Sequence, residues 1–140
     1  MVEAEKIADV MGLTSKVHSL FELTESVLHG LPKKSLQLTV NRLTKDSAVA
    51  KRISDQLVAP ATFKRRKGVL NAQESERVER LARVYATALD VWRDEEDARQ
   101  FLFTPHTLLN RQKPIDLAFT ELGARQVEQL LEKLRYGLPV

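Results

Sequence analysis

Cysteine and long apolar stretches are absent from this sequence of 140 residues. Without cysteine, disulfide bonds and thiol catalysis are excluded, and a reducing cytoplasm is the expected compartment. No segment approaches the roughly 20 apolar residues that a membrane-crossing helix needs. The opening MVEAEKIADV is acidic, which does not fit a secretory signal peptide. We therefore expect a cytoplasmic protein with no membrane partner, built as one domain or two small ones.

Patterns of catalytic and metal sites are also missing. The histidines His18, His29 and His106 are not grouped with other ligand-type residues as in a metal site. There is no glycine-rich phosphate loop, and no serine stands in an evident triad with histidine and aspartate. The acidic run at 94–97 is typical of a helix N-terminus, where carboxylates are favoured. The sequence predicts no catalytic residue, no metal and no cofactor.

Positive charge is concentrated in the middle of the chain. Residues 33–83 carry 13 basic and 5 acidic side chains, whereas residues 1–32 and 84–140 are each net negative. A basic block within a folded segment is typical of nucleic-acid binding, because its cations neutralise phosphates. A solvated face more often mixes both signs, so the pattern favours DNA as a partner.

Helical periodicity runs through the whole sequence. Two pairs at N-cap spacing, Ser19 with Glu22 and Asn71 with Glu74, match the capping box. No segment of four to eight residues alternates as a strand does. The sequence therefore predicts an all-α fold, with helices near 3–11, 19–29, 33–43, 46–53, 61–67, 71–92, 94–102, 114–118 and 121–136.

Residues 46–68 are predicted to form a helix, a tight connection and a short basic helix. Pro60 suits the first position of the second helix, and Gly68 suits its end. This order is that of a helix-turn-helix, in which the N-terminal residues of the second helix meet base edges in the major groove. The block 46–68 is therefore predicted to bind DNA.

Helical geometry sorts the side chains of the short basic helix. Because successive residues point about 100° apart, Phe63 is expected to turn into the core. Thr62 and Arg65 then share the opposite face and are the candidates for base contacts. The other DNA-binding candidates are assigned to phosphates: Ser47, Lys51, Arg52, Lys64, Arg66 and Lys67.

The C-terminal end is apolar, although chain ends are usually polar and mobile. Gly137 is expected to end the last helix, and Leu138, Pro139 and Val140 follow it. They either fold back onto the core, as commonly accompanies a glycine cap, or protrude as a peptide that enters a partner's cleft. The residues alone favour the first alternative.

Three segments of the C-terminal half resemble a known family. They are ESERVERLARVYATALDVWRDEEDARQFLFTP, LLNRQKPIDLAF and GARQVEQLLEKLRYGLPV, and they look like the toxin-binding domain of Xre-type antitoxins from bacterial RES/Xre toxin–antitoxin systems. The upstream TFKRRKGVLNAQES is similar to the junction after the helix-turn-helix of these antitoxins. The resemblance covers roughly residues 26–140. It departs from the family at Asn110-Arg111-Gln112, where a glycine-containing turn is usual.

The resemblance implies a dimeric antitoxin in two parts, without enzymatic activity. Residues 1–70 would contain the helix-turn-helix that binds the operator of the protein's own operon, and residues 71–140 would bind the toxin and dimerise. The implied toxin carries a RES domain, which resembles ADP-ribosyltransferases and consumes NAD. Its active site would be blocked by the antitoxin's C-terminal segment, which now favours a protruding end. The toxin-binding residues implied are Arg135, Tyr136, Gly137, Leu138, Pro139 and Val140.

Dimerisation is predicted to use the long apolar helix faces within 72–92 and 121–136. A two-fold dimer would require a palindromic operator with half-sites about one helical turn, or a multiple of it, apart. Two alternatives stay open. One is a stand-alone dimeric helix-turn-helix transcription regulator with no toxin partner, and the other is an enzyme.

Overall fold

Helices form the regular structure of residues 1–137, the part of the chain that the computed structural model describes. No strand occurs in this part; there are only isolated bridges, such as that between Pro32 and Val69. The predicted all-α fold is confirmed. The helices are α1 (Ala4–Val10), α2 (Leu20–His29), α3 (Lys33–Leu43), α4 (Ser47–Leu57), α5 (Pro60–Arg65), α6 (Ala72–Trp92), α7 (Glu95–Phe103), α8 (Pro114–Leu117) and α9 (Glu121–Arg135), with a 3-10 turn at Thr107–Leu109.

Predicted capping residues begin the helices. Asn71 and Glu74 form a complete capping box at the start of α6. Ser19 caps α2 by accepting from the Glu22 amide at 3.1 Å. The reciprocal half of that second box is shifted by one residue, because the Glu22 carboxylate accepts from the amide of His18 at 2.8 Å instead.

The long helix α6 lies at the centre of the fold. Its residues from Val84 to Ala88 are all buried. Since successive residues point about 100° apart, five buried residues in a row enclose the helix on every side. Helices α1, α2, α3, α4, α7 and α9 supply this cover. Tyr85 is the largest fully buried side chain among the described residues.

A single apolar core runs through both halves of the described chain. The predicted boundary at residues 70 and 71 falls just before α6. Leu70 is itself buried, and its amide donates to the Leu31 carbonyl at 2.8 Å. Helix α1 packs onto α6, where Lys6 pairs with Asp90 near the far end of that helix. The division into two domains therefore stays a prediction, on a structure whose two regions share one core.

The apolar faces of α6 and α9 pack against each other within one chain. Val127, Leu130 and Leu131 of α9 are buried, and α6 is their main neighbour. The prediction that the faces within 72–92 and 121–136 form a dimer core is therefore wrong for these faces, because an intramolecular partner already covers them. Dimerisation itself stays a prediction.

Gly123 lets the first turn of α9 pack closely against the end of α8. A Cβ at Gly123 would lie 1.9 Å from the carbonyl oxygen of Leu117, so a larger residue does not fit without moving the backbone. Thr120 caps the helix beside it by accepting from the Gly123 amide at 3.0 Å. This close approach fixes the direction in which α9 runs towards the C-terminal end.

The turn before α8 is left-handed although it contains no glycine. Asn110 has φ +56° and Arg111 has φ +61°. Hydrogen bonds close the turn, from the Arg111 amide to the His106 carbonyl at 2.9 Å and from the Gln112 amide to the Leu109 carbonyl at 3.0 Å. Although this segment lacks the glycine that the resemblance implies, residues 110–112 still form a compact left-handed turn.

Candidate DNA-binding and protein-binding surfaces

The basic block of residues 33–83 separates into cations with and without carboxylate partners. Arg42 joins α3 to α1 and α7, and Arg83 joins α6 to α9. Lys51, Arg66 and Arg80 are also in ion pairs. Within residues 1–137, no ion pair engages the remaining cations of the block: Lys33, Lys34, Lys45, Arg52, Lys64, Arg65, Lys67 and Arg77. Most of this available charge therefore lies on or beside α3, α4 and α5.

Helix α4 exposes its three predicted phosphate contacts. Ser47 is its first residue, and Lys51 and Arg52 face solvent in its second turn. Lys51 Nζ lies 2.7 Å from a carboxylate oxygen of Asp55. An exposed pair of this kind contributes little to stability, so Lys51 is free to exchange Asp55 for another anion.

Helix α5 divides its side chains as the periodicity predicts. Phe63 packs against the core while staying half-buried, and Lys33 Nζ lies 4.4 Å from the centre of its ring. Thr62 and Arg65 share another face, where the Arg65 guanidinium donates to the Thr62 hydroxyl at 3.4 Å. Lys64 is exposed. The contacts of these residues with DNA stay a prediction.

Arg66 is held by a buried carboxylate. Helix α5 ends at Arg65, two residues earlier than predicted, so Arg66 and Lys67 lie beyond it. The Arg66 guanidinium donates to both carboxylate oxygens of Glu74, at 2.9 and 2.8 Å. Glu74 is only 5% exposed, and the Arg66 hydrogen bond holds the pKa of its carboxyl below the usual 4.5. Arg66 therefore joins the end of α5 to the start of α6, whereas Lys67 is exposed.

Arg135, the first of the predicted toxin-binding residues, is bound within the chain. Its guanidinium lies 2.6 Å from a carboxylate oxygen of Asp90 and 3.1 Å from one of Glu132. Asp90 also pairs with Lys6 of α1. We name the group Lys6, Asp90 and Arg135 the Asp90 latch. It ties the last turn of α9 to α6 and to α1.

The other predicted toxin-binding residues follow the latch. Tyr136 is 72% exposed, and Gly137 is exposed with φ +68°. Leu138, Pro139 and Val140 lie outside the described residues. The described part of this set therefore consists of one tied arginine and two exposed residues that lead away from α9.

An exposed face of α9 leads directly to that C-terminal end. Its members lie within about 40° of one line along the helix and all face solvent; they are Leu122, Gln126, Gln129, Lys133 and Tyr136. We name this set the α9 face. Leu122 is 70% exposed, so large apolar side chains stand near both ends of a helix about 22 Å long. The sequence reasoning missed this face because it followed only the buried stripe of the helix.

A cavity of about 440 Å³ adjoins the α9 face. It lies between α9 and the turn before α8, and its lining includes Leu108, Asn110, Gln126, Gln129 and Lys133. Leu108 is 52% exposed at its edge. Five polar side chains and four leucines line the cavity, a mixture that suits contacts with another protein better than enclosure of an apolar ligand.

One flank of α9, about 100–120° around the helix from the α9 face, is fixed to α6 by a charged cluster. Arg83 lies 2.7 Å from Glu121, 2.8 Å from Glu128 and 3.5 Å from Glu79. Burial raises the pKa of both Glu79 and Glu128 above its usual value. Since a buried carboxylate requires a cation, the cluster holds α9 in one position on α6. The α9 face is therefore presented on a rigid support.

The described part of the chain offers neither a metal site nor a membrane-spanning helix. Within residues 1–137, no group of three histidine, aspartate or glutamate side chains is placed to hold a metal ion. None of the helices in the same range is both long and apolar enough to span a bilayer.

The C-terminal third of the chain is similar to a known family of domains. Residues 87–137 match the family model described as the antitoxin Xre/MbcA/ParS C-terminal toxin-binding domain. The match begins inside α6 and includes the whole α9 face and the cavity beside it. No curated protein matches the sequence. The resemblance to Xre-type antitoxins is confirmed by this match.

The Asp90 latch should make the stability of this region sensitive to acid. The hydrogen bond from Lys6, and to a smaller extent that from Arg135, holds the pKa of Asp90 below its usual 3.8. A carboxyl whose pKa is lowered by folding stabilises the protein above its unfolded pKa, and this stabilisation is lost as the pH falls through the folded pKa. We expect Asp90→Asn to lower the Tm by a few degrees at neutral pH. The gap to wild type should shrink as the pH falls below 3.8.

Thermal melts followed by circular dichroism over a pH series measure this effect. Asp116→Asn is the matched control, because Asp116 is exposed and forms no ion pair within residues 1–137. It should leave the Tm close to that of wild type at every pH. An Asp90→Asn melt that equals wild type at neutral pH would contradict a stabilising latch.

Proposed function

We propose that this chain, whose residues 87–137 match the model of the antitoxin Xre/MbcA/ParS C-terminal toxin-binding domain, neutralises a RES-domain toxin and binds its own operator DNA. The family match over α7 to α9 is the observation that carries the proposal. In this account the protein acts as a homodimer in the bacterial cytoplasm, has no enzymatic activity, and represses its own operon. The implied substrate of the toxin is NAD.

Toxin binding is assigned to the α9 face and the C-terminal segment. Leu122 and Tyr136 supply exposed apolar surface near the two ends of the face, and protein interfaces are rich in tyrosine. Gln126 and Gln129 lie between these two residues on the face and are uncharged, so a partner can cover them without desolvating a charge. In the sequence, Leu138 follows the last residue of the face, Tyr136, after one glycine, so the segment Leu138–Val140 is assigned to the same partner.

The segment Leu138–Val140 is assigned to the toxin's active-site cleft. An apolar peptide there would exclude NAD by occupying its space. Arg135 acts in this account as a positioning residue rather than a contact, because Asp90 and Glu132 already hold its guanidinium. The Asp90 latch thereby sets the point from which the segment leaves α9.

DNA binding is assigned to α4 and α5. Phosphate contacts go to Ser47, Lys51, Arg52, Lys64 and Lys67, which are exposed. Arg66 is omitted from this set, because its Nε and Nη2 both donate to the buried carboxylate of Glu74. Thr62 and Arg65 are assigned to bases. Support comes from the charge of the block and from the two-residue connection between α4 and α5.

Removal of Leu138–Val140 tests the assignment of the chain end. We expect the truncated chain to inhibit the toxin at least about tenfold less well, the effect of losing one well-buried interface contact. Consumption of NAD by the protein encoded in the adjacent reading frame is the measurement, with either antitoxin titrated into it. The antitoxin alone should consume no NAD.

The truncated chain should keep the Tm and operator affinity of wild type, which controls for misfolding. Inhibition that survives truncation unchanged would refute the assignment of the segment to the cleft. A full-length chain that binds operator DNA but not the adjacent gene product would instead be a stand-alone dimeric helix-turn-helix transcription regulator.

Single substitutions in the α5 region test the division between bases and phosphates. Arg65→Ala should reduce the preference for operator over scrambled duplex, because it removes a base contact worth about 1–3 kcal/mol. Lys67→Ala should weaken binding to both duplexes equally and reduce the salt slope by about 1. Fluorescence anisotropy with both duplexes over a salt series measures this. An equal loss of preference for operator duplex in Arg65→Ala and Lys67→Ala would show that the division between base contacts and phosphate contacts is incorrect.

A further inference from the structure

Arg111 occupies a backbone conformation that favours glycine. Its φ is +61°, and that of Asn110 before it is +56°. Asparagine tolerates this left-handed region, whereas a long side chain such as arginine is unfavourable there. The hydrogen bond from the Arg111 amide to the His106 carbonyl holds the residue in this conformation. An arginine is therefore present where a glycine would be less strained.

The Arg111 side chain has no visible role in the fold. It is exposed, and within residues 1–137 it forms neither an ion pair nor a side-chain hydrogen bond. Packing and internal electrostatics therefore do not account for it. Backbone strain of this kind concentrates at functional sites. Arg93 has the same conformation and likewise no ion pair within residues 1–137, so the distinguishing observation is that Arg111 lies between Asn110 and Gln112, which line the cavity beside the α9 face.

Two lysines accompany Arg111. Lys113 follows it in the same turn, and Lys133 of the α9 face lines the cavity to which Asn110 also contributes. No ion pair engages either lysine within the described part of the chain. We name Arg111, Lys113 and Lys133 the basic corner. The glutamines that line the same cavity are neutral. Asp116, three residues after Lys113, is the nearest carboxylate to it along the chain. The three cations outnumber this one carboxylate, so the corner is complementary to carboxylates.

We propose that the basic corner binds an acidic surface of the toxin, with Arg111 as its main contact. This inference rests on the proposed function and adds a recognition site that is separate from the chain end. The planar guanidinium of Arg111 can donate two parallel hydrogen bonds to one carboxylate, which a lysine ammonium cannot. Because the corner adjoins the α9 face, one partner can engage both surfaces.

Arg93 provides a matched control for Arg111. It is also exposed, has φ +59°, and forms no ion pair within residues 1–137. It lines a different cavity, between α1 and α6, where its neighbours include Asp9 and Asp90. Replacement of either arginine by glycine removes one positive charge and relieves one left-handed residue. Only Arg111 adjoins the α9 face.

The test compares Arg111→Gly with Arg93→Gly. Both variants should keep the Tm of wild type or raise it, by up to about 2–4 °C. Only Arg111→Gly should weaken binding of the purified protein encoded in the adjacent reading frame, by about tenfold or more. The loss should be largest at low ionic strength, because salt screens charge contacts. Arg111→Lys keeps the charge but not the planar donors, and should lose less than Arg111→Gly.

Four results would overturn the basic corner. Toxin binding by Arg111→Gly that equals wild type, or equals that of Arg93→Gly, would show that Arg111 is no contact. A clear fall in the Tm of Arg111→Gly would assign it a structural role. Loss of operator binding with intact toxin binding would assign it to DNA. If wild type itself does not bind the adjacent gene product, the proposed function fails, and the corner fails with it.

Discussion

The burial of α6 on every side is the constraint on which the rest of the structure depends. No side chain between Val84 and Ala88 faces water, so other helices, from both halves of the chain, must cover α6. Each large apolar side chain buried in this way contributes roughly 1.5–3 kcal/mol, which makes the cover energetically obligatory. The ends of α6 then anchor the two proposed functional regions. Glu74 binds Arg66 at the end of α5, and the Asp90 latch holds the last turn of α9.

Charge serves two separate purposes in this chain. Arginines that lie partly inside the fold are paired with carboxylates, because an unpaired charge removed from water is costly. Arg83 between α6 and α9 is the main example. Cations without such partners stand on the surface, where they remain available to phosphates near α4 and α5 and to carboxylates at the basic corner. A net charge summed along the sequence cannot separate these two groups.

Local features of the fold could be predicted from the sequence, whereas long-range pairing could not. The capping box of Asn71 and the opening of α5 at Pro60 depend on neighbours within a few residues, and both were predicted. The partner of an apolar helix face is set by the whole topology, which is why α6 and α9 were assigned to a dimer instead of to each other. The resemblance implies that Arg135 faces the toxin, and nothing local in the sequence shows that Asp90, 45 residues away, binds it. The left-handed conformation of Arg111 also has no local signal in its residue type.

We propose that the toxin binds the α9 face and the turn before α8. Because α6 holds α9 in place, this binding would leave α4 and α5 free for DNA. Hydrogen exchange of the full chain, alone and with the adjacent gene product bound, tests this most directly. We expect amide exchange to slow on binding within residues 106–113 and 121–137, and to stay unchanged within residues 47–65. Slower exchange within 47–65, with none within 121–137, would contradict it.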